Sequence, residues 1–238
     1  MRFRKITALV LMLAMTVAFF PAATAKADTA KRVICIDPGH QTNANLKKEP
    51  LGPGSSSYKY KVTGGTTGVA THVPEYKFVL RIAKKLKKEL EARGYEVIMT
   101  RTKNDVNISN VERAQIANKA KADAFIRIHA NSCETPSVRG ALTIAPTNSN
   151  PYLTKKIRKR SQKLSKKVIS KFCAATKAQN RGVMYTDTMT GINWCKVPVT
   201  IIEMGFMSNR DEDRLMQTKA YQKKMVKGMA DGIDAFFK

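Results

Sequence analysis

Acidic residues are scarce in this 238-residue chain: 18 Asp and Glu stand against 43 Lys and Arg, a formal net charge of +25. An imbalance of that size speaks to partners rather than to fold, and it suits a polyanionic neighbour: nucleic acid, an acidic membrane surface or an anionic wall polymer. Histidine is scarcer still, with only His40, His72 and His129. The four cysteines, at 35, 133, 173 and 195, match neither a zinc knuckle nor a CxxC redox pair, which excludes those two kinds of site. Cys35 lies in an apolar run and reads as core, while Cys173 and Cys195 stay open as a candidate disulfide. Repeats and low-complexity linkers are missing, so the length and the 43% hydrophobic content point to one domain with an ordinary core. Beyond residue 20 there is no long apolar run, which excludes a chain that crosses a membrane repeatedly.

The first residues carry a different signal. Arg2, Arg4 and Lys5 precede an apolar stretch from Ile6 to Phe20, followed by Pro21 and the small residues 22–25. Ala25-Lys26-Ala27 fits a small-x-small cleavage site, so residues 1–27 are expected to be a secretory signal peptide cut before Asp28. The apolar stretch is shorter than the roughly 20 residues of a spanning helix, which argues against a retained anchor. Cleavage removes four basic residues from the +25 and leaves +21. Export turns attention from nucleic acid to the cell wall, and the aromatic residues are not interleaved with the basic clusters as in a nucleic-acid binder.

Residues 28–238 alternate between strand and helix patterns. Val33–Ile36 reads as a strand stopped by Asp37-Pro38-Gly39. Residues 41–71, rich in Gly, Ser, Thr, Asn and Lys, read as a long surface loop. From Pro74 to Gly94, apolar residues at 78, 79, 82, 83, 86 and 90 predict an amphipathic helix, followed by a strand over 95–99. Ser109-Asn110-Val111-Glu112 is a capping box that opens a helix to about Ala120. Strands are expected at Ala124–Ile128, Gly140–Ala145 and Val197–Ile202, a strongly basic helix at 151–175, and two helices after Asn209 parting near Thr218. The pattern predicts an α/β fold: a single three-layer domain with a mostly parallel twisted sheet and helices on both faces.

His40, His129 and Glu203 each fall just beyond the carboxyl end of an expected strand, where open α/β sheets bind ligands. Glu75 opens the helix after the long loop and is within reach of the same edge. Two imidazoles and a carboxylate are a common catalytic zinc set with one position left open. A further carboxylate is then needed to move protons, and the apolar neighbours of Glu203 (Ile201, Ile202 and Met204) favour a raised pKa there. Taken singly, each residue has a plain alternative: a helix N-terminal acid for Glu75, an ion pair for Glu203, a surface position for either histidine. His72-x-x-Glu75 with His129 is a rival zinc set, but Pro74 places His72 ahead of the helix and leaves His40 better situated.

The run Val33-Ile34-Cys35-Ile36-Asp37-Pro38-Gly39-His40 resembles the opening strand and turn of the zinc-dependent N-acetylmuramoyl-L-alanine amidases. Ile128-His129-Ala130-Asn131 resembles their second histidine motif, and the segment around Glu203-Met204-Gly205-Phe206 their glutamate motif. The resemblance covers about residues 31–237. It implies that His40, Glu75 and His129 bind one Zn2+ and that Glu203 is the catalytic carboxylate. The implied substrate is the amide between N-acetylmuramic acid and the L-alanine of the peptidoglycan stem peptide. Gly39, Gly205 and Asn131 are expected to shape the pocket. Two features depart from the pattern and bear on substrate preference: the 41–71 loop is not glycine-dominated, and Arg127 stands where a small residue is usual.

The expectation is therefore a secreted, wall-associated autolysin whose partners are peptidoglycan and, through the basic 151–175 helix, anionic wall polymers. Nucleic acid and a stable membrane span after processing are not expected. A peptidoglycan-binding protein without activity and a zinc peptidase acting on stem peptides are the competing readings.

Overall fold

The computed structural model describes residues 31–238; the expected signal peptide, 1–27, lies outside them. Strand β1 (Val33–Pro38) carries Ile34 and Ile36 on one face and Cys35 and Asp37 on the other, all fully buried. Period-two alternation thus feeds two separate cores from one strand. The chain then forms a two-stranded antiparallel hairpin, β2 (Asn45–Pro50) and β3 (Tyr58–Val62), where sequence reading expected only loop. Alternating Tyr58, Lys59, Tyr60 and Lys61 lack an apolar face, so the usual strand signature is missing.

Helix α1 (Glu75–Ala92) begins after Pro74, whose extended backbone serves as N-cap, and buries the six apolar residues its periodicity singled out. Gly94, at φ +90°, takes the left-handed conformation that ends it. Strand β4 (Glu96–Met99) follows. Helix α2 (Asn110–Lys119) starts with the expected capping box: Ser109 Oγ accepts from the Glu112 amide and Glu112 Oε2 from the Ser109 amide. Then come β5 (Ala124–Asn131), β6 (Ala141–Ala145), the basic α3 (Lys155–Thr176), β7 (Asn180–Tyr185), the short α4 (Thr190–Asn193), β8 (Val199–Phe206), α5 (Arg210–Gln217) and α6 (Lys219–Phe237). Neither β7 nor α4 was legible in the sequence.

The main sheet runs β4-β1-β5-β8-β6-β7. Strands β4, β1, β5 and β8 are parallel neighbours, whereas β6 runs antiparallel to β8 and parallel to β7. The expected mostly parallel sheet is present, with the two strands at one edge, β6 and β7, reversed. Helices α1, α3 and α6 cover one face, and α2 and α4 pack on the other. Cys173 belongs to the first core and Cys195 to the second, and both are free thiols, so the candidate disulfide is not formed. Helix α6 lies directly on α3. A Cβ on Gly228 would come within 2.7 Å of Phe172 Cα, and one on Gly232 within 2.6 Å of Val168 Cα. Among the described residues no helix is long and apolar enough to cross a membrane.

Candidate active site

The carboxyl ends of β1, β5 and β8 meet at one edge of the sheet. In parallel register His129 on β5 stands opposite Glu203 on β8, and Asp37 on β1 opposite Arg127. The turn after β1 is pinned by two buried arginines. Arg101 donates to the carbonyls of Pro38 and Gly39, and Arg113 donates to those of Pro38 and His40 and to Asp37. His40 leaves this turn at φ +58°, a left-handed conformation unusual for a side chain of its size. Backbone strain of this kind clusters at functional sites. Gly39 lets the turn approach β5, because a Cβ there would fall 2.1 Å from His129 Cε1.

Three side chains converge. Glu75 Oε2 lies 3.3 Å from His40 Nε2, and its Oε1 lies 3.1 Å from His129 Nδ1. One ligand atom from each of His40, Glu75 and His129 falls within 4.8 Å of the others. The Glu75 carboxylate is oriented by two backbone donors, Thr66 N–H and Ala130 N–H, each at 3.1 Å. His40 Nδ1 is 2.8 Å from the Thr63 carbonyl, which can only accept, so Nδ1 carries the proton. In the neutral ring Nε2 then turns its lone pair toward a carboxylate oxygen. Two acceptors facing each other call for a proton or a cation between them, and two imidazoles with one carboxylate match a divalent zinc-type donor set. His72, the rival ligand, is exposed and stands apart from this cluster.

Electrostatics at this edge separate the carboxylates. Burial disfavours the charge on Glu75, but its interactions with His129 and His40 outweigh it and hold the pKa well below the usual range. Burial likewise opposes charge on both histidines. The bond to Glu75 prevails at His40, whose pKa is raised, and burial prevails at His129, whose pKa is lowered. Glu203 is pushed up to about 8, first by burial and then by the nearby Glu75 charge. Its Oε2 is enclosed without a hydrogen-bond partner among the described residues.

These groups open onto a cleft of about 280 Å³ lined by His40, His129, Glu203, Arg127 and, from the hairpin, Lys59 and Tyr60. All four expected site residues are therefore gathered at one edge. The expectation for Gly205 and Asn131 is not met: a Cβ on Gly205 would face Met216, and neither residue lines the cleft. Sequence reasoning missed the Thr63 carbonyl, Thr190 and the hairpin, whose contributions depend on long-range placement.

Comparison with known proteins identifies the family and the fold. Residues 34–235 match the family model described as N-acetylmuramoyl-L-alanine amidase. The chain is 24% identical to the N-acetylmuramoyl-L-alanine amidase AmiA of Escherichia coli, over 90% of this chain and 78% of that protein. It is 30% identical to an endolysin of Bacillus phage SPP1 over 71% of this chain and 61% of that one. Its fold matches the Mycobacterium smegmatis amidase Ami1 with a TM-score of 0.77 at 24% identity, covering 86% of this chain and 96% of that one. The matched span contains every residue of the converging edge, and the chain belongs to the N-acetylmuramoyl-L-alanine amidase family.

Proposed function

We propose that the protein hydrolyses the amide between the lactyl group of N-acetylmuramic acid and the first L-alanine of the stem peptide, with His40, Glu75 and His129 holding one Zn2+ and Glu203 moving the proton. The observation that carries this reading is the pairing of a preorganised two-histidine, one-glutamate cluster with an enclosed, unpartnered carboxyl across the same strand pair.

When bound, zinc supplies Lewis acidity: it polarises a carbonyl and lowers the pKa of a coordinated water toward about 7. The chain's own groups do the rest. The Thr63 carbonyl fixes the His40 tautomer, and the Thr66 and Ala130 amides fix the Glu75 carboxylate. Glu203 accepts a proton from the attacking water as the new C–O bond forms. It returns that proton to the alanine nitrogen as the C–N bond breaks, giving a free lactyl carboxylate and a free amine. A carboxyl poised near neutral pH serves both directions of that transfer.

Residues 1–27 act as the signal peptide, and the enzyme works outside the membrane at the wall. Helix α3 contains no acidic residue and exposes Lys155, Lys159, Lys163, Lys166 and Lys171. It draws the enzyme to anionic wall polymers by charge, an attraction that weakens as salt rises.

The test is release of N-terminal alanine from purified peptidoglycan, with zinc and with a chelator. Chelator-sensitive release that disappears in Glu203→Gln is expected. Wall binding with one zinc and no release would identify a binding protein, and new amino groups on other residues would identify a peptidase.

A further inference from the structure

The cleft contains a second cluster that hydrolysis does not use. Arg127 is 3% exposed, flanked on its strand by Phe125, Ile126 and Ile128. Its Nε donates to Asp37 and its Nη2 to Asn110 on α2, while among the described residues Nη1 donates to nothing. That nitrogen lies against Gly191 so closely that a Cβ there would sit 1.9 Å from it. The residue before Gly191 is Thr190, which is buried, lines the same cleft, and has an Oγ1 without a hydrogen-bond partner among the described residues. A guanidinium nitrogen and an enclosed hydroxyl, neither paired with a described residue, thus belong to two residues that line the same cleft. Unpaired buried polar groups are costly and are normally satisfied by a partner.

The partner they fit is an anion. Asp37 contributes one negative charge and is shared by Arg113 and Arg127, with Arg101 close by, so the cluster keeps a net positive charge beneath the cleft. On the cleft's hairpin side Lys59 adds another cation. A guanidinium N–H beside a hydroxyl suits a carboxylate, which accepts on both oxygens.

Spacing identifies which carboxylate. Arg127 and His129 are two residues apart on β5 and point to the same face, a separation of roughly 7 Å along the strand. An extended peptide spans about the same distance in two residues. With the scissile carbonyl at His129, the group that reaches Arg127 comes from the second stem residue.

We propose that Arg127 and Thr190 form a specificity subsite for a free carboxylate on the second residue of the stem peptide, so that the enzyme prefers stems with an acid there over stems carrying the carboxamide. This rests on the amidase reading. A charge-assisted hydrogen bond gained with one ligand and lost with the other corresponds to a preference of about 10- to 100-fold.

The experiment compares kcat/KM of the zinc-loaded protein on two N-acetylmuramoyl-L-alanyl peptides that differ only in an α-carboxylate or α-carboxamide at the second residue. The wild type is expected to prefer the carboxylate. The preference should collapse in Arg127→Gln, persist in part in Arg127→Lys, and shrink in Thr190→Val, a substitution of similar volume that leaves Asp37 paired. Equal rates in the wild type, or a preference that survives both Arg127→Gln and Thr190→Val, would overturn the subsite. A purely structural role for Arg127 would lower both rates together and leave their ratio unchanged. Failure to release alanine from either peptide, or from whole peptidoglycan, would instead strike at the amidase reading.

Discussion

Asp37 and Glu203 flank the same strand, one on β1 and one on β8, and their carboxyl groups are held in opposite ways. Asp37 is fully buried and saturated: Thr100 Oγ1, Arg113 and Arg127 all donate to it. Burial alone would raise its pKa, but the two arginines drive it far below the carboxylate range. Among the described residues Glu203 has no such donors, and burial, with the nearby Glu75 charge, pushes its pKa up to about 8. A saturated carboxylate is a structural anchor, whereas an unsatisfied one keeps a proton available. Position at the sheet edge does not separate these roles; the count of donors does.

The contrast can be tested by removing each charge. The largest effect is expected for Glu203→Gln, which should lower kcat by about 10²- to 10⁴-fold in the alanine-release assay. Its unfolding midpoint in urea should hold or rise, because a poorly satisfied carboxyl is removed. Asp37→Asn should do the reverse in the urea titration, destabilising by about 3–5 kcal/mol because two buried arginines lose their counter-charge. Equal losses of stability in both variants would erase the distinction.

Smaller effects should appear in the pH dependence of unfolding for the metal-free protein. The folded pKa of Asp37 is depressed, so its stabilisation is complete above the unfolded value of about 4 and is lost as pH falls below it. The folded pKa of Glu203 is raised, so its contribution is complete below about 4 and is lost as pH rises toward about 8. Unfolding free energies measured from acid to alkaline pH should lose the acid-side slope in Asp37→Asn and the neutral-side slope in Glu203→Gln. The smallest effect is expected from Ser109→Ala, which removes the cap of the helix that presents Asn110 and Arg113. It should cost about 1 kcal/mol by thermal or urea unfolding while leaving the carboxylate preference intact.

Much of this edge was legible in the sequence, because each candidate residue ended an apolar run or opened a periodic one. His40, His129 and Glu203 were placed by strand ends, Glu75 by the start of α1, and the α2 capping box by its four-residue pattern. What escaped was set by contacts between distant segments. The β2–β3 hairpin carries alternating tyrosines and lysines rather than an apolar face, and β7 (Asn180-Arg181-Gly182-Val183-Met184-Tyr185) does not alternate apolar with polar, so neither shows the period of a half-buried strand. Asn131 and Gly205 sit beside motif residues, yet neither lines the cleft, and β5 and β8 change register after His129, a shift that depends on pairing. Arg127 was visible as a charge inside an apolar strand, but Thr190 and Gly191 gained meaning only once α4 was laid against it.

The seating of α6 on α3 through Gly228 and Gly232 also sets an order of events during synthesis. Ile34 and Ile36 emerge early, but the face they occupy shares its core with Met225, Met229 and Ile233. Helix α1 packs on β1 itself, but the surfaces of α1 and α3 that α6 covers stay open to water until residues 219–237 have been made. Final closure of the core is thus a late event rather than one that accumulates as the chain lengthens.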